Sequence, residues 1–177
     1  MSVEEMGLKV RRIARAAITR AAITRAKPRV FLNSSGFISA VITPRESAPI
    51  YRLVMLGEQD VIDLRISRKV ISDVERLVRG HNPAQTPKVA EIIDKGRMAI
   101  TPAPNEDTIV MCEALTGYRP DARILAAAIE CAADVLVTFD SIHLLGNPSI
   151  KPPEVAVIGM NAKGCLEWCF AQWQGAR

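Results

Sequence analysis

Long apolar runs, closely paired cysteines and aromatic residues are scarce in this chain of 177 residues. No segment approaches the roughly 20 uncharged apolar residues of a membrane-spanning helix, so we expect no membrane association. The N-terminus is basic but has no apolar run free of arginine, so we expect no secretion signal. Aromatic residues make up only 5% of the chain, yet 49% of it is apolar. This composition excludes a disordered or collagen-like chain, and the length favours one domain around one core.

The cysteines do not have the spacing of a structural zinc site. The chain has four of them, without a Cys-x-x-Cys pair, and neither of its two histidines is close to the last two cysteines. Free Cys is usually a small buried residue, and thiols stay reduced in the cytoplasm. We therefore expect a cytoplasmic protein with four free thiols: Cys112, Cys131, Cys165 and Cys169.

Positive charge is concentrated at one end of the chain. The net charge is +4, but residues 1–27 hold seven Lys and Arg against two Glu, whereas residues 28–177 hold 16 cations against 17 acids. Residues 16–20 and 21–25 repeat the sequence AAITR, which favours helix but winds its arginines around the cylinder instead of lining one face. The chain is thus expected to have a basic helical arm, 1–27, and a nearly neutral domain, 28–177. Three roles stay open for the arm: a solvated tail, contact with RNA phosphates, or docking on a partner chain.

Short apolar runs alternate with helical stretches after Pro28. The pattern predicts five strands, at 29–33, 60–64, 97–101, 134–138 and 154–158. It predicts helices at 35–42, 47–57, 68–80, 87–95, 106–116, 121–132 and 162–173. Strands that alternate with helices favour an α/β fold, with a central parallel sheet covered by helices on both faces.

Polar residues follow two of the predicted strands. Asn33 and Ser34 come after the first strand, and Thr138 and Asp140 come at the end of the fourth. Asp121 opens the helix before the fourth strand, and Asp73 lies on the helix after the second. In a parallel sheet the ligand crevice lies outside the carboxyl ends of the strands. These side chains converge only if strands one and four are neighbours.

Three segments carry a resemblance to a known family. Residues 30–40 (VFLNSSGFISA) are similar to the opening strand and polar turn of PIN domains, and residues 120–128 (PDARILAAA) resemble the third acidic motif of that family. Residues 134–140 (DVLVTFD), with His143-Leu144-Leu145 behind them, resemble its V-T-x-D motif. The resemblance covers about 150 residues, from Pro28 to the C-terminus.

The resemblance implies a three-layer α/β/α fold and a metal-dependent ribonuclease, often the toxin of a toxin–antitoxin pair. It assigns Asp121 and Asp140 to the third and fourth acidic positions and Asp73 to the second, with Glu75 as the alternative. It makes Ser34 and Thr138 supporting residues. It also implies an RNA substrate, a homodimer and an antitoxin partner. Acids of this kind hold Mg²⁺ or Mn²⁺, and without the ion their mutual repulsion should raise at least one pKa.

Asn33 stands where the family has its first acid. A neutral amide removes one negative charge from a metal site. Asn33 is compatible with an introduced inactivating substitution, a naturally inactive member, or an active variant with a weaker site; the shape-preserving exchange favours the first two. Two hypotheses follow, namely a metal-dependent endoribonuclease impaired at Asn33, and an inactive PIN-like module that binds RNA or a protein partner.

The remaining residues with possible chemical roles are interpreted structurally. His81 and His143 are expected to be polar loop residues, and Trp168 and Trp173 are expected to be core or dimer anchors instead of base-stacking platforms. Gly36 is expected to loosen the helix after the first strand.

Overall fold

The protein is described by a computed structural model, which covers residues 27–150 and 155–175. These residues form one sheet of five parallel strands in the order β3-β2-β1-β4-β5. The strands are β1 (Arg29–Leu32), β2 (Asp63–Ser67), β3 (Ala99–Thr101), β4 (Val135–Val137) and β5 (Ile158–Met160). The predicted parallel sheet is confirmed. The predicted helical arm lies, except for Lys27, outside the described residues.

Helices cover the sheet on both faces. In the described part of the chain they are α1 (Ser34–Ile42), α2 (Pro49–Glu58), α3 (Arg68–His81), α4 (Pro87–Lys95), α5 (Glu106–Thr116), α6 (Arg119–Glu130) and α7 (Ala162–Gly175). Helix α1 contacts α2, α3 and α4, and α2 also contacts α4 and α7. Helices α5 and α6 pack mainly against each other. The architecture is the three-layer α/β/α arrangement that the sequence predicts.

Strand β1 lies at the centre of the sheet, where the strand order reverses. The chain runs from β1 to β2 and β3 on one side and returns as β4 on the other, where Val30 pairs with Val135 and Leu32 with Val137. A reversal of this kind opens a crevice at the carboxyl ends of the two strands. The condition for Asn33 and Asp140 to converge is therefore met.

The two central strands are buried on both faces. Every residue of β4, and residues 30–32 of β1, is at most 1% exposed. Strands covered on both sides need apolar residues at each position, which explains their lack of polar alternation. Asn33 and Thr138, which directly follow these strands, are therefore attached to well-packed segments of the core.

Two predicted strands are displaced along the sequence. Strand β2 begins at Asp63 and not at residue 60, because Asp60 has a positive φ of 59° and belongs to a turn after α2. Asp63 is the first residue in register, and its N–H donates to the carbonyl of Pro28 (2.8 Å). Strand β5 occupies residues 158–160, so the prediction of 154–158 is wrong except at its last residue, and residue 154 lies outside the described residues.

Gly36 lets helix α1 lie close to the end of β4. A Cβ atom at this position would be 3.3 Å from Val137 Cγ1. A contact this short is tighter than ordinary packing, so the missing side chain keeps the polar residues after β1 close to those after β4.

The structure also bears on the expected free thiols and on membrane-spanning helices. All four cysteines are free; Cys131 is partly exposed and the other three are buried. Burial raises the pKa of the Cys112 thiol to about 12, as expected for an unreactive core residue. Among the described residues, no helix is both long and apolar enough to cross a membrane.

Candidate metal centre

A cavity of about 440 Å³ lies at the carboxyl ends of β1 and β4. It brings together Asn33, Ser34, Asp73, Asp121 and Asp140, five of the six residues that the sequence singles out. The sixth, Thr138, is fully buried and hydrogen-bonds to Asn33 and Asp140. The other lining residues are Ser35, Pro120, Ile124, Phe139, Ser141, Ile142 and His143.

Asp140 is held by the turn that it begins. Its Oδ1 accepts hydrogen bonds from the backbone N–H groups of Ile142 (2.9 Å) and His143 (2.8 Å). Its own N–H donates to Thr138 Oγ1 at 3.1 Å. Asp side chains commonly cap turns in this way. The capping role of Asp140 and its position in the cavity are thus compatible, since Oδ2 does not take part in the turn.

Thr138 connects the two strand ends through its hydroxyl group. Its Oγ1 accepts from Asn33 Nδ2 (3.0 Å) and from the N–H of Asp140, which occupies both lone pairs. The single proton of Thr138 therefore goes to Ser35 Oγ, 3.3 Å away. Ser35 Oγ also accepts from the N–H of Phe139 (3.1 Å). These bonds leave the Ser35 proton unused at the cavity.

Asn33 uses its amide oxygen within the fold. It is the N-cap of α1, and its Oδ1 accepts from Ser34 N (2.7 Å) and Ser34 Oγ (3.3 Å). A backbone N–H must face the oxygen, so the amide nitrogen faces Thr138. Asn33 is 5% exposed. In this arrangement the group at the first acidic position presents a donor and not a free oxygen ligand.

Asp121 lies in the first turn of α6, directly after Pro120. Its Oδ2 is buried and has no hydrogen-bond partner, although it lies 3.0 Å from His143 Nδ1. The helix dipole favours an acid at this position. An unpartnered buried carboxylate oxygen is nevertheless costly, and the helix dipole alone does not account for the direction in which Oδ2 points.

His143 is the residue that the sequence interpretation missed. Its ring stacks on Tyr118, with centroids 5.2 Å apart and planes at 26°. Its Nδ1 lies 3.3 Å from Asp140 Oδ2, as well as close to Asp121. The sequence contained one signal for His143: it follows Asp140 by three residues, and a turn that begins at an Asp brings the residue three positions later back towards it. His143 lies in the loop after β4, as the sequence predicts, and it also lines the cavity.

The two acids at His143 have pKa values shifted in opposite directions. Burial, followed by the charge of Asp140, raises the pKa of Asp121. Burial also acts to raise the pKa of Asp140, but hydrogen bonds from the backbone and ring of His143 and from the Ile142 N–H bring it below its usual value. One pKa is raised, as expected, but burial is the larger cause and the repulsion from Asp140 comes second.

Asp73 lines the cavity from α3 but is already paired with cations. Its Oδ2 lies 2.5 Å from Lys69 Nζ, and its Oδ1 lies 3.2 Å from Arg76. Glu75, the alternative for this position, is not among the lining residues. The geometry therefore favours Asp73 over Glu75 as the acid that α3 contributes.

The donor set at this cavity is suited to a divalent cation. Ligand atoms of Asp121, Asp140 and His143 all lie within 4.8 Å of one another. Hard divalent ions take carboxylate oxygens, and the buried, unpartnered Oδ2 of Asp121 is an oxygen that such an ion would satisfy. Asp121 and Asp140 fit the metal that the resemblance implies, whereas the Asn33 oxygen is engaged elsewhere.

Comparisons with known proteins agree with the fold. No family model and no curated protein matches the sequence. A solved structure of VapBC2 from Rickettsia felis, bound to a DNA fragment from their promoter, is similar with a TM-score of 0.57 and 14% sequence identity. The match covers 75% of this chain and 99% of that chain. At this identity the similarity concerns the fold alone, which in this chain is a three-layer, PIN-like α/β/α fold.

Proposed function

We propose that the chain is a metal-dependent endoribonuclease that hydrolyses RNA phosphodiesters with Mg²⁺ or Mn²⁺. The observation that carries the proposal is the buried Oδ2 of Asp121, which accepts no well-aligned hydrogen bond and lies with Asp140 and His143 in a cavity at the reversal of the strand order. Acids brought together with one oxygen left unsatisfied are typical of a cation site. Asp121 and Asp140 are the proposed metal ligands, with Asp73 at the edge of the site.

The residues of the chain have separate roles in this proposal. A bound divalent ion supplies an activated water and neutralises the leaving oxygen of a phosphodiester. Asp140 is fixed by its turn and by Thr138. Lys69 and Arg76, which contact Asp73, supply positive charge beside the cavity for the RNA backbone. Ser35 has a proton available for a phosphate oxygen.

Cleavage of single-stranded RNA tests the proposal. We expect the chain to cleave RNA with Mn²⁺ or Mg²⁺ and to stop in EDTA. Asp121→Asn should remove cleavage, since it removes the charge of the unpartnered carboxylate. Asp94→Asn is the matched control, because this acid of α4 does not line the cavity. Cleavage that survives EDTA, or that Asp121→Asn leaves intact, would rule out this function.

A second function is favoured by Asn33. Its oxygen caps α1 and its nitrogen faces Thr138, so the first acidic position is neutral and engaged. We therefore keep the alternative of an inactive PIN-like module that binds RNA or a protein. It predicts RNA binding that persists in EDTA and weakens steeply with salt. Replacing the five arginines of residues 1–27 by Gln should abolish such binding. Unchanged binding would exclude these residues as the RNA-binding segment.

Partners and location belong to the same proposal. The VapBC2 structure contains DNA from its own promoter, and with the family resemblance it leads us to propose an antitoxin partner and a homodimer for this chain. Phe170, 52% exposed and in edge contact with Trp173, is the proposed dimer anchor. Light scattering of Phe170→Ser, which should shift the dimer towards monomer, tests it. The unbridged thiols support a cytoplasmic location.

A further inference from the structure

We propose that His143 is a third protein ligand of this centre, through Nδ1, and that it makes the centre selective for Mn²⁺ and similar transition-metal ions over Mg²⁺. The inference rests on the proposed function, because it concerns the ion that the nuclease would use. It adds a residue and a metal preference that the sequence interpretation did not contain.

The distances around His143 Nδ1 match those between neighbouring ligands of one ion. Nδ1 lies 3.0 Å from Asp121 Oδ2 and 3.3 Å from Asp140 Oδ2. Two ligand atoms at right angles around an ion, with bonds of about 2.1 Å, are about 3.0 Å apart. Two of the three distances are thus those of neighbouring ligands, and ligand atoms of all three residues lie within 4.8 Å of one another. No backbone N–H donates to the buried Asp121 Oδ2.

The fold holds the imidazole in this position from several sides. The N–H of His143 donates to Asp140 Oδ1, and the next residue, Leu144, is 2% exposed and anchored in the core. Asn147 Nδ2 donates both to the carbonyl of His143 (3.2 Å) and to that of Leu115 (2.7 Å), which ties the loop to the end of α5. Tyr118 supports the ring face. The backbone bonds fix the loop and the stacking restrains the ring, so Nδ1 stays beside the two acids.

The chemistry of imidazole determines which ion the site prefers. Mg²⁺ binds oxygen ligands and keeps several waters, whereas imidazole also binds first-row transition-metal ions, of which Mn²⁺ binds it more weakly than Fe²⁺, Ni²⁺ or Zn²⁺. In a site of two carboxylates and one imidazole, the imidazole therefore increases the affinity for Mn²⁺ more than the affinity for Mg²⁺. It also adds a ligand to a site in which the Asn33 oxygen is engaged by Ser34.

A simpler role for His143 would be to donate a hydrogen bond that orients the two acids. That role affects every cation alike, because it acts on the carboxylates and not on the ion. The ratio of Mn²⁺ to Mg²⁺ affinity separates the two roles. His143→Asn retains an N–H donor near the acids and removes the imidazole, so it preserves an orienting role and not a ligand role.

Metal titration of the full chain by calorimetry tests the inference. We expect His143→Ala and His143→Asn to lower Mn²⁺ affinity by at least about tenfold, with Mg²⁺ affinity changed by less than about threefold. His81→Ala is the matched control, since His81 is the only other histidine and is exposed at the end of α3. Equal losses for both ions, or Mn²⁺ binding restored by His143→Asn, would overturn the inference.

Electron spin echo spectroscopy of bound Mn²⁺ provides a direct readout. We expect modulation by a coordinated ¹⁴N nucleus in the wild type and in His81→Ala, and its loss in His143→Ala. A wild-type spectrum without this modulation would exclude His143 as a ligand while leaving the nuclease proposal intact if RNA is still cleaved with the metal. Absence of any metal binding by the wild type would reject both.

Discussion

Replacing Asn33 by Asp changes the side-chain nitrogen to an oxygen and places an acid at the first acidic position of the site. In the fold, Oδ1 is engaged by Ser34 and only Nδ2, 3.0 Å from Thr138 Oγ1, changes its character. The hydrogen bonds survive the exchange, because Thr138 can turn its proton towards the new carboxylate oxygen, and Ser35 can then donate to Thr138. The N-cap of α1 is retained as well. What remains is the effect of one added negative charge.

The magnitude of that effect follows from charge interactions at this depth. Position 33 is 5% exposed, and the cavity already holds Asp121 and Asp140. Unit charges about 4 Å apart interact by about 1 kcal/mol in water and about 4 kcal/mol at an effective dielectric constant of 20. We expect Asn33→Asp to destabilise the metal-free protein by about 1–4 kcal/mol, or a Tm lower by at least about 2 °C. The same charge should raise Mn²⁺ affinity by at least about tenfold.

Thermal unfolding in EDTA and in Mn²⁺, together with cleavage of single-stranded RNA, measures both effects. We expect the Tm of Asn33→Asp to fall in EDTA and to recover with metal, and EDTA-sensitive cleavage to increase. Asn82→Asp is the matched control, since Asn82 caps a short 3₁₀ helix through Oδ1 in the same manner but is exposed and outside the cavity. If Asn33→Asp gains neither metal affinity nor cleavage, position 33 does not face the metal and the reasoning fails.

Four further variants test the electrostatics and the packing. Asp121→Asn should raise the Tm of the metal-free protein at neutral pH, since a raised pKa means that the fold disfavours the charged form; the gain should shrink as the pH falls through the folded pKa. Asp140→Asn should lower the Tm above the unfolded pKa near 3.9, and the loss should vanish as the pH falls through its lowered folded pKa. Equal signs for the two acids would contradict the shifts. Gly57→Ala should cost about 1–3 kcal/mol in urea unfolding, because its Cβ would clash with the carbonyl of Gly96, whereas Gly80→Ala, with open space around it, should be neutral or stabilising.

The pattern of apolar runs was sufficient to predict the sheet and most of its helices. The runs that became β1 and β4 lack polar alternation because both faces are covered, and this is readable from residues alone. The displacement of β2 could not be predicted, because Val61, Ile62 and Leu64 also suit a strand. Its start depends on the turn at Asp60 and on the register with β1, which are contacts between segments.

The acids of the site were predictable in identity but not in their individual roles. Asp121 and Asp140 follow recognisable segments, and the cavity contains both. The pairing of Asp73 with Lys69 and Arg76 depends on side-chain directions on α3. His143 stands only three residues from Asp140, yet its approach to Asp121 spans two elements that no sequence window contains.

The sequence by itself determined the alternation of strands and helices, the concentration of positive charge in residues 1–27 and the order of the acids, because these depend on the residues themselves and on local propensity and periodicity. Only the tertiary structure decided that β1 and β4 are neighbours, that the Asn33 oxygen is engaged, and that His143 joins two carboxylates of which one is unpartnered. The physical reason is that hydrogen bonding, charge repulsion and metal coordination act through space over about 3–5 Å. Distances of this size between remote residues are fixed by the order of the strands and the packing of the helices on them.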